Sequence, residues 1–178
     1  LLAIVAEGTR SRIYLAPLSS HARVACSAEP TWKPETPSRG TWASNAQGRV
    51  YGFRTFGDYF TLRQLAALTT FSDLVAEARV LAGRDAVAAG LPDDAHGLEQ
   101  GGSGAKAYGD AIAVYLSFVV DKEAEALSTI CTWSSSPKNE LVVSTFRRQA
   151  LPMTWDFGEA NPFGNSSGAV EKNVEAVG

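Results

Sequence analysis

Between Leu65 and Ala78 the apolar residues Leu65, Leu68, Phe71, Leu74, Val75 and Ala78 return every three or four positions, with Thr69, Thr70, Asp73 and Glu77 opposite. That spacing gathers residues on one face of an α-helix and of no other regular structure. The helix has a marked start. Thr61-Leu62-Arg63-Gln64 has the form of a capping box, in which the Thr and Gln side chains satisfy free backbone amides reciprocally. The pattern fades near Gly83 and is expected to stop before Gly90-Leu91-Pro92. A second helix is predicted from Ala105 to Ile130, with Tyr108, Ile112, Tyr115, Leu116, Val119 and Ile130 on one face. Only Asp110, Ser117, Asp121 and Ser128 form a polar strip, so this helix is expected to be the central, most buried one. Ser136-Pro137 predicts a third helix, running through Leu141, Val142 and Phe146 to Leu151-Pro152. Val170, Val174 and Val177 share a face of a short final helix.

The first fifty residues read differently. Leu1 to Pro17 alternates apolar and small residues around a Gly8-Thr9 turn, the pattern of a β-hairpin. Residues 18–50 are rich in Ser, Pro, Gly and Ala, with Pro30, Pro34 and Pro37 close together, and read as an extended arm. Trp32 and Trp42 imply that the arm lies against something. The fold class expected is mainly α (α+β): a domain of three to four helices with an N-terminal β-hairpin and a long irregular arm. Residues 1–50 would hold the hairpin and arm. Residues 51–178 would hold the helical domain, ending in an irregular WDFGEANPF loop and a truncated helix.

With 178 residues, 45% of them hydrophobic and 20% charged, the composition is that of a globular chain. No apolar run reaches membrane-spanning length, and Leu1 to Ala6 lacks the basic start of a signal peptide, so a cytoplasmic location is expected. A formal net charge of −3 gives no basic footprint for the chain as a whole. Cys26, Cys131, His21 and His96 are scattered, with no paired Cys-x-x-Cys, so no zinc site is expected.

Several local patterns bear on chemistry. Gly101-Gly102-Ser103-Gly104 precedes a helix, but no strand precedes it and Lys106 is followed by Ala107, so a flexible linker is the better reading than a phosphate loop. Asp110, Asp121 and Glu125 read as a solvated acidic stripe. Lys138, Arg147 and Arg148 concentrate positive charge and are candidates for phosphate contacts, against ordinary surface charge. The stretch Leu151 to Gly168 concentrates aromatics, prolines and small polar residues without periodicity. Within it Asn161-Pro162-Phe163 approaches the amino-methylase motif, in which a polar side chain and a backbone carbonyl accept the target amine and an aromatic stacks on the base. The second proline of that motif is missing here.

Four stretches carry a resemblance: YGFRTFGDYFTLRQLAALTTFSDLVAEAR (51–79), YGDAIAVYLSFVVD (108–121), STICTW (128–133) and TFRRQALPMTWDFGEANPFGNSSG (145–168). Together they resemble the middle region of the large adenine-specific DNA methylases that contain a zinc ribbon. In that family the glycine-rich S-adenosylmethionine motif and the zinc-ribbon cysteines lie before this region, and the Asp-Pro-Pro-Tyr motif lies after it. None of the three occurs in this chain, so the resemblance carries over no catalytic, cofactor-binding or metal-binding residue. It implies a non-catalytic internal segment, inactive alone, of an S-adenosylmethionine-dependent DNA adenine-N6 methyltransferase. Its partners would be the remainder of that methylase and, through it, DNA. Lys138, Arg147 and Arg148 would be the DNA-contact candidates, and Asp156, Asn161 and Phe163 would lie at the edge of the active-site cleft. The alternative is a structural helical insertion or protein-interaction module with no direct DNA contact.

Overall fold

A computed structural model describes residues 1–38, 46–136, 138–147 and 153–177. It is mainly helical with small antiparallel hairpins. Chain contacts divide it into two units, neither continuous in sequence: residues 1–67 with 128–159, and residues 68–127 with 160–178. The boundary expected at residue 50 therefore falls inside the first unit.

The first unit opens with β1 (Ile4–Glu7) and β2 (Arg12–Leu15), paired antiparallel with Ile4 opposite Leu15 and Glu7 opposite Arg12. The arm is less irregular than its prolines suggest, because they all come after a helical turn sequence. Ser19–Cys26 forms α1, whose start is capped by His21: its Nδ1 accepts the Leu18 N–H at 3.1 Å. A short α2 covers Ala46–Val50. Residues 34–38 then lie along residues 54–57, with Ser38 N–H on Arg54 O, Phe56 N–H on Thr36 O and Gly57 N–H on Pro34 O. Residues 34–38 of the arm thus have a surface to lie against, whereas Trp42 lies outside the described residues. Below that surface, Tyr59, Leu65, Ile130 and Cys131 are buried.

The largest departure from expectation concerns the third helix read above over residues 136–151, of which 137 and 148–151 lie outside the described residues. Thr132–Ser134 (β3) and Leu141–Val143 (β4) instead form a hairpin with Trp133 opposite Val142. A 3-10 turn over Thr145–Arg147 follows. Val142, Val143, Thr132 and Trp133 are all residues that suit a pleated surface. Between the strands the Asn139 N–H donates to Ser136 O at 2.9 Å, and Lys138 lies in a turn. Tyr14 of β2 joins the two hairpins. Its hydroxyl donates to Glu140 at 2.8 Å and accepts the Trp133 indole N–H at 3.3 Å.

α3 runs over Leu62–Ala88, beginning in the first unit and continuing into the second. Its capping box is formed as expected: Gln64 Oε1 accepts the Thr61 N–H at 2.8 Å, and Thr61 Oγ1 accepts the Gln64 N–H at 3.2 Å. In the second unit α3 meets α4 (Ala105–Ala126) at Gly109, where a methyl group would stand 2.6 Å from the Arg79 carbonyl oxygen. This close approach explains why α4 is not the buried central helix its sequence suggests. Its buried positions are Ala105, Ala107, Gly109, Val119 and Glu123, small residues apart from the last two. Tyr108, Tyr115 and Phe118 are about half exposed, at 49, 55 and 50%. α4 also ends at Ala126, four residues earlier than predicted, because Ser128 turns back to accept the Ile130 N–H through its hydroxyl. The short helix α5 (Val170–Val177) appears where its valines place it and packs on α4.

The glycine-rich loop between α3 and α4 is tied down rather than loose. Asp110 Oδ2 accepts the Leu98 N–H at 2.9 Å, Pro92 O accepts the Ala105 N–H at 2.9 Å, and Gly101 takes the left-handed conformation a tight turn requires (φ 74°). With the first α4 amide already used, the loop is not arranged as a phosphate cradle. Among the described residues no helix is long and apolar enough to cross a membrane.

Candidate nucleic-acid interface

Charge is divided unevenly between the two units. By sequence, the first carries eleven Lys and Arg against seven Asp and Glu, a net of +4. The second carries five against twelve, a net of −7, and the two together restore the chain's −3. The overall acidity therefore conceals a basic unit, which no single stretch of sequence discloses because the unit is assembled from two distant segments.

Within the basic unit several acidic groups are already engaged. Glu7 pairs with Arg12, and Glu159 with Arg63 at 2.7 Å. Asp58 accepts the backbone amides of Thr55 and Arg54 at 2.8 Å and lies beside Lys33. These amides hold its carboxyl below the usual aspartate range against the opposing effect of burial. Arg10, Arg23, Arg49, Arg54, Lys138 and Arg147 are exposed and make no ion pair among the described residues. Two of the three DNA-contact candidates thus lie in the basic unit and are uncompensated, whereas Arg148 lies outside the described residues.

Arg147 is positioned by a buried polar cluster. Thr145 is 7% exposed, and its hydroxyl sits 2.6 Å from that of Ser128, itself 3.3 Å from Cys131 Sγ. With Thr145 fixed inside, the next two residues of the turn are carried outward, and Phe146 is 66% exposed. Lys138 occupies the β3–β4 turn. The two cations therefore flank β4 in sequence.

The cleft-edge candidates do not gather in one unit. Asp156 is exposed in the first unit, whereas Asn161 and Phe163 belong to the second. Asn161 Oδ1 accepts the Phe163 N–H at 3.1 Å, and the Pro162 carbonyl accepts the Val170 N–H at 2.9 Å. Both acceptors that the amino-methylase motif would offer a target amine are here occupied by the chain's own amides. Phe163 remains 81% exposed, with its ring 5.9 Å from that of Phe71.

The acidic stripe also resolves into separate roles. Asp110 is held by Arg79 (Nε to Oδ1, 2.6 Å) and by the Leu98 amide, while Asp121 faces solvent. Among the described residues no three His, Cys, Asp or Glu side chains are grouped to hold a metal ion. Cys26 is exposed and Cys131 buried, and among the described residues they form no disulfide.

Sequence reasoning missed Tyr51 and Trp155. Their rings meet edge to face at 5.7 Å, and they are 46 and 77% exposed. Their aromatic character was legible, but their pairing across about a hundred residues was not. No protein-family model, curated protein or solved structure matches the chain.

Proposed function

We propose that this chain is a non-catalytic internal segment of a cytoplasmic, S-adenosylmethionine-dependent DNA adenine-N6 methyltransferase, and that its basic unit contacts the DNA. The parent activity rests on the sequence resemblance alone. The DNA contact rests on the uneven charge: a +4 unit whose exposed cations include Lys138 and Arg147, neither paired with a carboxylate among the described residues. Each phosphate neutralised releases condensed counterions, so such contacts bind without regard to sequence and weaken with salt. Lys138 and Arg147, with Arg148, would hold the sugar–phosphate backbone. Methyl transfer itself would be performed by the remainder of that protein.

The test is a fluorescence-anisotropy titration of a labelled duplex at two salt concentrations, with the chain and its Lys138→Ala/Arg147→Ala variant. The expected result is salt-dependent binding, with the log–log slope reduced by about 2 in the variant. An unchanged slope would remove these residues from the interface. Absence of binding at low salt would remove the DNA contact altogether.

A second reading, a protein-interaction module that touches no DNA, is favoured by one observation. Tyr108, Tyr115 and Phe118 lie about half exposed on α4, in the acidic unit, where phosphate would be repelled.

A further inference from the structure

We propose that Tyr51 and Trp155 form a stacking platform for an unpaired DNA base, with the adjoining phosphates held by Arg49 and Arg54. This rests on the reading that the basic unit contacts DNA and specifies which form of DNA it takes.

The rings are exposed, yet the backbone beneath each is fixed. Tyr51 follows α2 in a tight turn, with its own N–H on Gly48 O at 3.1 Å and the Phe53 N–H on the same carbonyl at 2.9 Å. Gly52 closes that turn at φ 91°. On the other side, Thr154 Oγ1 donates to Ile130 O at 3.3 Å and Gly158 N–H donates to Cys131 O at 3.1 Å, which brackets Trp155. The interplanar angle of 81° makes this an edge-to-face pair. In that geometry one ring braces the other and leaves a face uncovered. The Trp155 indole, 77% exposed on this anchored segment, holds a broad flat face out to solvent.

The chemistry around the pair selects the occupant. Arg49 lies two residues before Tyr51 and Arg54 three after it, both exposed and without an ion pair among the described residues. Exposed planar faces on a segment that carries uncompensated arginines two and three residues away along the chain suit a ligand that is flat and anionic, which a nucleotide is. Asp156 follows Trp155 and is exposed, so a phosphate is disfavoured on that side and the strand should run past Arg49 and Arg54. In a duplex the base faces are already stacked on one another. Only a single strand or an extruded base can use the platform.

The experiment compares a labelled oligothymidylate with a duplex of equal length, titrated with the full chain and with Trp155→Ala and Trp155→Phe. Circular dichroism checks that each variant is folded. Trp155→Ala should weaken single-strand binding roughly tenfold while duplex binding changes less than about twofold, and Trp155→Phe should restore most of the loss. Equal single-strand affinity in all three proteins, with duplex binding intact, overturns the platform and leaves the DNA-contact reading standing. Failure of both DNA forms to bind the unaltered chain overturns that reading, and the platform with it.

Discussion

Asn173 of α5 donates its side-chain N–H to Glu123 of α4 at 2.6 Å, and it does so where Glu123 is wholly buried. The second carboxylate oxygen of Glu123 has no hydrogen-bond partner among the described residues. Burial pushes the Glu123 carboxyl above its ordinary value, and the Asn173 hydrogen bond offsets this only in part.

The sign of the resulting pH dependence follows. A carboxyl with a raised value in the folded state binds its proton more tightly there than in the unfolded chain. Stability is therefore greatest below the ordinary glutamate range and falls as pH rises towards the folded-state value. Glu123→Gln is expected to flatten this slope and to raise stability near pH 8 by on the order of 1 kcal/mol. Thermal unfolding followed by circular dichroism from pH 4 to 8 checks it. A variant with the same slope as the parent protein would show that Glu123 ionises without penalty.

The contact of α3 with α4 makes a prediction about sign. Gly109→Ala should gain about 1 kcal/mol of helix propensity. Against this, its methyl group would stand 2.6 Å from Arg79 O, a backbone atom that cannot rotate away. Separating the helices costs about 1–3 kcal/mol, so the variant should be net destabilised. Gly83→Ala is the matched control, because its methyl group would meet Ala105 O at 3.5 Å, an ordinary contact. It should stabilise by about 0.5–1 kcal/mol. Chemical denaturation of both variants decides the matter, and shifts of the same sign would contradict the packing.

Gln64 works twice, and its loss should show as much. Its Oε1 caps α3 on the Thr61 N–H, while Nε2 donates to Glu159 Oε2 at 2.9 Å. Arg63 also reaches Glu159, so Arg63 and Gln64 together hold the end of the Trp155–Glu159 segment. Gln64→Ala should cost about 1–2 kcal/mol, as a lost cap and a lost charged hydrogen bond each would. Increased hydrogen exchange at the amides of Thr61 and Gly158 would locate the effect. Exchange unchanged at Gly158 would show that Glu159 is held by Arg63 alone.

Legibility of the fold followed the length of the local signal. Thr61 and Gln64, the apolar repeat from Leu65, and the valines of α5 act within one or two turns, and each was readable. Three-residue strands such as Thr132–Ser134 carry too little pattern to outweigh a Ser-Pro pair that equally begins a helix or a turn. The burial of α4 was misread because hydrophobicity alone does not say which face is covered. Its close packing depends on Gly109 and Ala105, residues with almost no hydrophobic weight. The candidate interface was hidden for a different reason. Its charge belongs to a unit that unites residues 1–67 with 128–159, and its aromatic pair joins Tyr51 to Trp155. Neither association leaves a trace in sequence spacing.

Asp110 gives the second pH prediction, with the opposite sign to that of Glu123. The Leu98 N–H, with Arg79 and Lys106 beside it, holds the Asp110 carboxyl below the usual aspartate range despite some desolvation. Only the ionised form accepts all of these donors, so the loop attachment is fully present above the ordinary aspartate value. It is lost as pH falls through the lower, folded-state value. The same carboxylate joins α3, α4 and the 3-10 turn Leu98–Gln100, so the effect should be local to that junction. Asp110→Asn should speed amide exchange at Leu98 and in the glycine-rich loop at neutral pH, with β1 and β2 unaffected. It should also abolish the further loosening that the parent protein undergoes on acidification. If acid loosens the loop equally in the variant, another group holds it, and Asp110 is a surface ion pair of no consequence to the loop.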